Sequence, residues 1–241
     1  MLRSLLISGL FLLFFQGKSV EEKQEKELKV LYIGNSLSYV NNLPGLVAEL
    51  AMENKVTISY DTYLFPDYSL EDHWKDGKVV DEIKKGKYDF VVAQQGPSAL
   101  PESQVLLVEY TRKFSKLCKD NNSKLALYMV WPSKTRSFDL DNVISSYSNA
   151  ATKTNSLLCP AGLAWKYAWQ KDSSLALYGP DNFHPGINGS VLAALTVYGT
   201  ILNDNNLNFA MIDRLSCKDQ VTAERFAELK KAAVSAMKQP K

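Results

Sequence analysis

The sequence predicts an α/β protein, a three-layer α/β/α sandwich on a central parallel sheet of about five strands. Short runs rich in β-branched and aromatic residues alternate with longer helical patterns along nearly the whole chain. One of these runs, Tyr88-Asp-Phe-Val-Val-Ala-Gln-Gln95, is almost continuously apolar, which suits a central strand buried on both faces. The chain has 241 residues, enough for one domain with a sizeable core.

Residues 1–19 read as a secretory signal. Arg3 supplies the positive start, Leu5 to Phe15 an apolar core of 11 residues, and Gly17-Lys18-Ser19 a small-x-small cleavage site. That core is too short to span a bilayer comfortably, so a secreted or periplasmic location follows, with no stable membrane span after cleavage. A retained N-terminal anchor is the alternative, because Phe14-Phe15-Gln16 is an untidy approach to a cleavage site. Residues 20–27 then form a charged, flexible lead-in, and residues 28–241 a single domain.

Losing Arg3 and Lys18 leaves basic and acidic residues balanced at 26 each. Nothing in that balance suggests a nucleic acid or an anionic membrane as partner. Cys118, Cys159 and Cys217 are odd in number and far apart, so at most one disulfide is possible and buried thiols are the simpler reading. His73 and His184 are the only histidines and have no partners at ligand spacing, which leaves no metal site and no cofactor to expect.

In order, strand one is Lys29 to Ile33, and a helix with Pro44 in its first turn covers Leu43 to Glu53. Strand two is the alternating run Val56 to Leu64. Ser69 and Asp72 then resemble a capping box for a short helix, and a helical stretch from Val79 to Lys85 leads to strand three, Tyr88 to Gln95. Leu106, Tyr110, Phe114 and Leu117 give Glu102 to Asn121 a helical face. Leu125 to Trp131 is strand four, stopped by Pro132. A helix over Asn142 to Ser156, strand five at Leu157 to Ala161, and helices over Leu163 to Trp169, Ser190 to Leu202 and Ala223 to Met237 complete the chain.

Two loops carry chemistry. In an open parallel sheet ligands bind at the carboxyl ends of the strands, and Gly34-Asn35-Ser36 lies just there, after strand one. Gly34 allows a sharp turn, and the N–H groups opening the next helix can support an anion. The plainer reading is that Ser36 or Ser38 only caps that helix. In the second loop, Asp181-Asn-Phe-His184-Pro, an aspartate three residues before a histidine can accept the imidazole Nδ1–H and leave Nε2 free to take a proton from a serine. Its plainer reading is a surface loop with a capping Asp and a solvated His. His73 and Trp74, after strand two, fit either a place near a pocket or the packing of a helix on the sheet.

Together, Gly34-Asn35-Ser36-Leu37 and Asp181-Asn-Phe-His184-Pro resemble the first and last blocks of the SGNH, or GDSL-type, hydrolases, and Gly189-Ser-Val-Leu-Ala-Ala194 resembles the helix opening that follows in bacterial members. The resemblance implies a flavodoxin-like SGNH fold and a serine esterase with Ser36 as nucleophile, His184 as base and Asp181 orienting it. It also implies an oxyanion hole from the N–H of Ser36, a glycine after strand two and an asparagine after strand three. Asp67 stands where that glycine is expected, so a backbone N–H of Asp67 or Tyr68 is the candidate donor. Gln95-Gly-Pro-Ser98 replaces the third block and is similar to the Gln-Gly-Glu-Ser of sialate- and carbohydrate-acetylesterase branches. An amide from Gln95 would donate there, with Gln94 in reserve. The branch points to an O-acetyl ester, on a small molecule or a carbohydrate, with Tyr68, Trp74 and Trp131 as rings to cover a sugar face. An O-acetyltransferase and a noncatalytic glycan-binding protein of the same fold are the rival readings.

Overall fold

A computed structural model describes residues 26–208 and 215–239. The expected signal, residues 1–19, and the lead-in as far as residue 25 lie outside the described residues. The sheet has five strands, β1 (Lys26–Gly34), β2 (Val56–Leu64), β3 (Phe90–Ala93), β4 (Lys124–Tyr128) and β5 (Leu157–Cys159). All neighbours are parallel, in the spatial order β2-β1-β3-β4-β5. This is the three-layer α/β architecture expected from the sequence.

The last two residues of the expected lead-in are strand. Lys26 and Glu27 already belong to β1, paired with Val56 and Thr57. Both are exposed, so the ladder extends while their charges stay in water. β3 is buried at all four residues, as its apolar run requires, and stops before the glutamines. β4 ends at Tyr128, although Met129 to Trp131 remain buried.

The helices are α1 (Ser36–Tyr39), α2 (Leu43–Met52), α3 (Leu70–Asp76), α4 (Lys78–Lys84), α5 (Pro101–Asp120), α6 (Leu140–Thr154), α7 (Ala161–Lys171), α8 (Ile187–Leu202) and α9 (Ala223–Met237). α2, α7, α8 and α9 pack together as one set, and α3 to α6 as another. The capping box is present: Ser69 Oγ accepts from the N–H of Asp72 at 3.2 Å, and Asp72 Oδ2 accepts from the N–H of Ser69 at 2.8 Å. α8 is buried along most of its length, from Gly189 to Gly199, which is why its sequence is apolar all round. Cys118, Cys159 and Cys217 are buried thiols.

The chain leaves β1 for β2 on one side and then crosses to β3 on the other. The crevice between β1 and β3 is the point where ligands settle in such sheets. The turn after β1 carries Ser36, and the turn after β3 carries Gln95.

Candidate active site

The turn after β1 is built by groups that sequence reasoning assigned elsewhere. The cap of α1 is Asn35, whose Oδ1 accepts from the N–H of Leu37 at 3.1 Å. That leaves Ser36 Oγ out of the cap. Asn35 Nδ2 donates to the carbonyl of Tyr68 at 3.0 Å, tying this turn to the loop after β2.

Beneath it lies Gln94, fully buried. Its Oε1 accepts from the N–H of Asn35 at 3.0 Å and from Ser38 Oγ at 2.9 Å. Its Nε2 donates to Asn35 Oδ1 at 2.9 Å and to the Gln95 carbonyl at 2.6 Å. Gln94 is therefore a strut under the turn that carries Ser36, and both of its amide hydrogens are used. Gly34 is needed for this contact, because a Cβ there would sit 2.4 Å from Gln94 Oε1. The sharp turn expected of Gly34 is not the reason: among the described glycines, positive φ occurs at Gly77 and Gly86.

The loop after β2 forms a turn, Phe65-Pro66-Asp67-Tyr68, closed by the Tyr68 N–H on the Phe65 carbonyl at 3.3 Å. Asp67 has φ 61°, the left-handed conformation that a type II turn requires and that glycine supplies most easily. This is the physical content of the glycine expected there. Since Tyr68 spends its N–H on the turn, Asp67 is the backbone donor of the pair that the turn leaves over. The Asp67 side chain is exposed.

His73 is fully buried, and its Nε2–H donates to the Gly34 carbonyl at 2.8 Å, beside the N–H of Phe65 on the same oxygen at 3.1 Å. Burial pulls its pKa below the ordinary histidine value, which keeps it neutral. Its ring stacks on Phe65 and meets Tyr68 edge-on. His73 is thus a structural brace, the packing alternative of its two readings.

After β3, Gln95 was expected to donate into the cleft. Instead its Nε2 donates to Ser98 Oγ at 2.8 Å and points at the Ser103 carbonyl at 3.5 Å, while Oε1 is buried without a partner. Turning the amide over would face Oε1 to that carbonyl oxygen, so the nitrogen is committed to holding its own turn. The buried hydroxyl of Tyr147 reaches the carbonyls of Gln95 at 2.7 Å and Gly96 at 2.9 Å from the far side.

The last block folds as its spacing suggested. Asp181 Oδ1 accepts from the N–H groups of Phe183 at 3.0 Å and His184 at 2.9 Å, and Oδ2 accepts from His184 Nδ1–H at 2.5 Å. The histidine bond, followed by the Phe183 N–H, holds the Asp181 carboxyl down at about 2. His184 Nε2 is buried and makes no hydrogen bond.

Trp131 does not offer a face to a substrate. It is fully buried, stacked on Trp165 with centroids 3.6 Å apart, and its Nε1–H donates to the Phe183 carbonyl at 3.2 Å. Such a pair adds about 0.5–1.5 kcal/mol beyond area burial, and here it supports the histidine loop from below. Trp74 packs edge-on against Phe114, joining α3 to α5. Tyr68 does line the cleft, together with Asn35, Ser36, Asp67, Gln95 and Phe183. The cleft holds about 370 Å³, a size suited to a small ligand.

Sequence reasoning missed Asn35, Tyr147 and Asn41, the last of which donates from Nδ2 to the Pro185 carbonyl beside His184 at 3.0 Å. Asn35 was recoverable, since an asparagine directly before a helix is a strong cap signal. The other two act across 51 or more residues and left no local sign.

No family model matches the chain, and no curated protein does. Solved structures do. A protein from Slackia heliotrinireducens described as an SGNH hydrolase is 22% identical, with a TM-score of 0.61 over 73% of this chain and 100% of that one. A DUF4886 family protein from Bacteroides uniformis is 17% identical, with a TM-score of 0.71 over 88% and 95%. A lipase/acylhydrolase from Enterococcus faecalis is 15% identical, with a TM-score of 0.59 over 73% and 96%. The chain has the α/β fold of the SGNH and GDSL-type hydrolases.

Proposed function

We propose that this protein is an exported serine esterase that hydrolyses an O-acyl, and in particular an O-acetyl, ester of a small molecule or carbohydrate. The observation that carries the reading is the Asp181–His184 pair, with Nδ1–H on the carboxylate at 2.5 Å and Nε2 without a partner, in a fold whose first-strand turn presents Ser36 to a cleft. Ser36 Oγ attacks the ester carbonyl as its proton passes to His184 Nε2. Asp181 holds the ring and offsets the imidazolium charge. The oxyanion is taken by the N–H of Ser36 and the N–H of Asp67. Collapse expels the alcohol, which takes the proton from Nε2. Water then attacks the acyl-serine by the same route, releasing the acid and restoring Ser36.

The test is hydrolysis of p-nitrophenyl acetate at neutral pH without added metal, by the chain lacking residues 1–19 and by its Ser36→Ala variant. Loss of the rate in the variant supports the reading, and equal rates refute it. A noncatalytic glycan-binding protein is the second reading, motivated by the carboxylate of Asp67 at the cleft and by the committed nitrogen of Gln95. It requires glycan affinity unchanged in Ser36→Ala and no ester turnover by the parent. An O-acetyltransferase would instead acetylate a sugar from a donor ester with negligible hydrolysis.

A further inference from the structure

The Asp181–His184 loop is anchored to the β4 side of the molecule by several bonds. Trp131 Nε1–H holds the Phe183 carbonyl, the Lys134 N–H holds that of Asn182 at 2.8 Å, and Tyr178 Oη–H holds that of Pro132 at 2.7 Å. None of these relates His184 to the nucleophile. Ser36 belongs to a different element, and His184 Nε2 makes no hydrogen bond that would set their separation.

One side chain does span the two. Asn41, just past the short helix that begins at Ser36, donates from Nδ2 to the Pro185 carbonyl at 3.0 Å and to Ser190 Oγ at 2.9 Å. Both amide hydrogens are used. One is on the residue after His184 and the other is on Ser190, a buried residue in the first turn of α8. The backbone of Asn41 is left-handed, φ 56° and ψ 21°, a conformation that asparagine tolerates better than most residues. The following residue, Asn42, is also left-handed, and its Oδ1 accepts from the N–H of Gly45 at 3.3 Å. The kink that aims Asn41 at the histidine loop is therefore fixed from its far side.

We infer that Asn41 is a positioning residue that sets the register of His184 against Ser36. The inference rests on the esterase reading for its kinetic consequence, and its structural consequence stands apart from that reading. Proton transfer from Ser36 needs Nε2 within hydrogen-bond reach, and misplacement by about 1 Å can cost about 10²-fold. Asn41 is solvent-exposed as a residue and its bonds compete with water, so the loss expected on removing them is smaller, about tenfold in kcat.

The experiment is a double-mutant cycle on p-nitrophenyl acetate. Asn41→Ala is expected to lower kcat about tenfold with KM changed less than about twofold, and to have almost no further effect in a His184→Ala background, because its action passes through that imidazole. Asn41→Gly, which suits a left-handed backbone, is expected to show the same loss and guards against misfolding. An equal fold-loss in both His184 backgrounds, or an effect confined to KM, overturns the inference. Amide exchange of residues 178–190, compared between Ser36→Ala and Ser36→Ala/Asn41→Ala, reads the tie without any turnover. Faster exchange confined to that loop is expected, and unchanged protection overturns the inference even if the chain hydrolyses no ester. Absence of turnover with the loop loosened would refute the esterase reading alone.

Discussion

Replacing Gly34 by alanine would put a Cβ atom 2.4 Å from Gln94 Oε1, with the Gln94 carbonyl oxygen and Ser38 Oγ each 3.2 Å away. The first of these atoms ends a flexible side chain, but that chain is not free to move. Gln94 is fully buried and both ends of its amide are bonded, to Asn35, Ser38 and the Gln95 carbonyl. Overpacking of a close-packed interior costs about 1–3 kcal/mol. Pushing the amide aside strands the N–H of Asn35, and a buried group without its partner costs about 1–3 kcal/mol more. The expected loss is about 2–6 kcal/mol, a large part of the roughly 5–15 kcal/mol that holds a domain together. Urea unfolding followed by tryptophan fluorescence, with linear extrapolation, measures it. The same substitution made in a Gln94→Ala background should cost much less, because the obstructing amide is gone. A loss below about 0.5 kcal/mol, the size of an ordinary surface change, would refute the reasoning. So would an equal loss in the two backgrounds.

Three further outcomes are expected. Asp181→Asn would keep an oxygen for the N–H groups of Phe183 and His184 but turn an NH₂ toward Nδ1, favouring the tautomer with Nε2–H; kcat on p-nitrophenyl acetate should fall by about 10³–10⁴, with KM little changed. Asp67→Gly should relieve the left-handed φ of 61° and remove a carboxylate from the cleft, raising both kcat and the urea midpoint, the latter by up to about 1 kcal/mol of stability; a slower variant would count against donation from this turn. Glu82 is held down at about 2, first by Lys85 and then by Lys87. Its folded value lies below its unfolded one, so its contribution is fully present above about pH 4.5 and is lost as pH falls through 2. Glu82→Gln should therefore flatten the acid limb of stability across that window, by about 1–2 kcal/mol once screening of the partly exposed lysines is allowed for, as measured by urea midpoints from pH 6 to 2.

Much of the fold was legible because burial imposes a period. β2 at Val56–Leu64 and α9 at Ala223–Met237 fall where alternation and helical spacing put them. The errors sit where pairing, not composition, ends an element. β1 reaches back to Lys26 because β2 offers it partners, and β4 stops at Tyr128 although the apolar run continues to Trp131. The site shows the same division. Asp181 and His184 meet because they are three residues apart in one turn, and the cap at Asn35 is equally local. The use made of the glutamines was not legible. Two adjacent amides of one chemistry received opposite surroundings, Gln94 under the turn that carries Ser36 and Gln95 against Ser98, because successive residues leaving a strand point to opposite faces.

The sequence by itself determined what each short segment can do: which runs form strands and helices, that Asp181 can orient His184, and that a serine follows the first strand. Those properties depend on neighbours a few residues away, and a few residues are what a motif contains. Tertiary structure decided which candidate groups are still available. It buried Trp131 on Trp165, used the nitrogen of Gln95 on its own turn, made Gly34 obligatory through Gln94, and tied the kink after α1 to the Pro185 carbonyl through Asn41. Each of these is a contact between segments that only the sheet order brings together, and a hydrogen-bond donor spent across such a contact cannot be read from the segment that carries it.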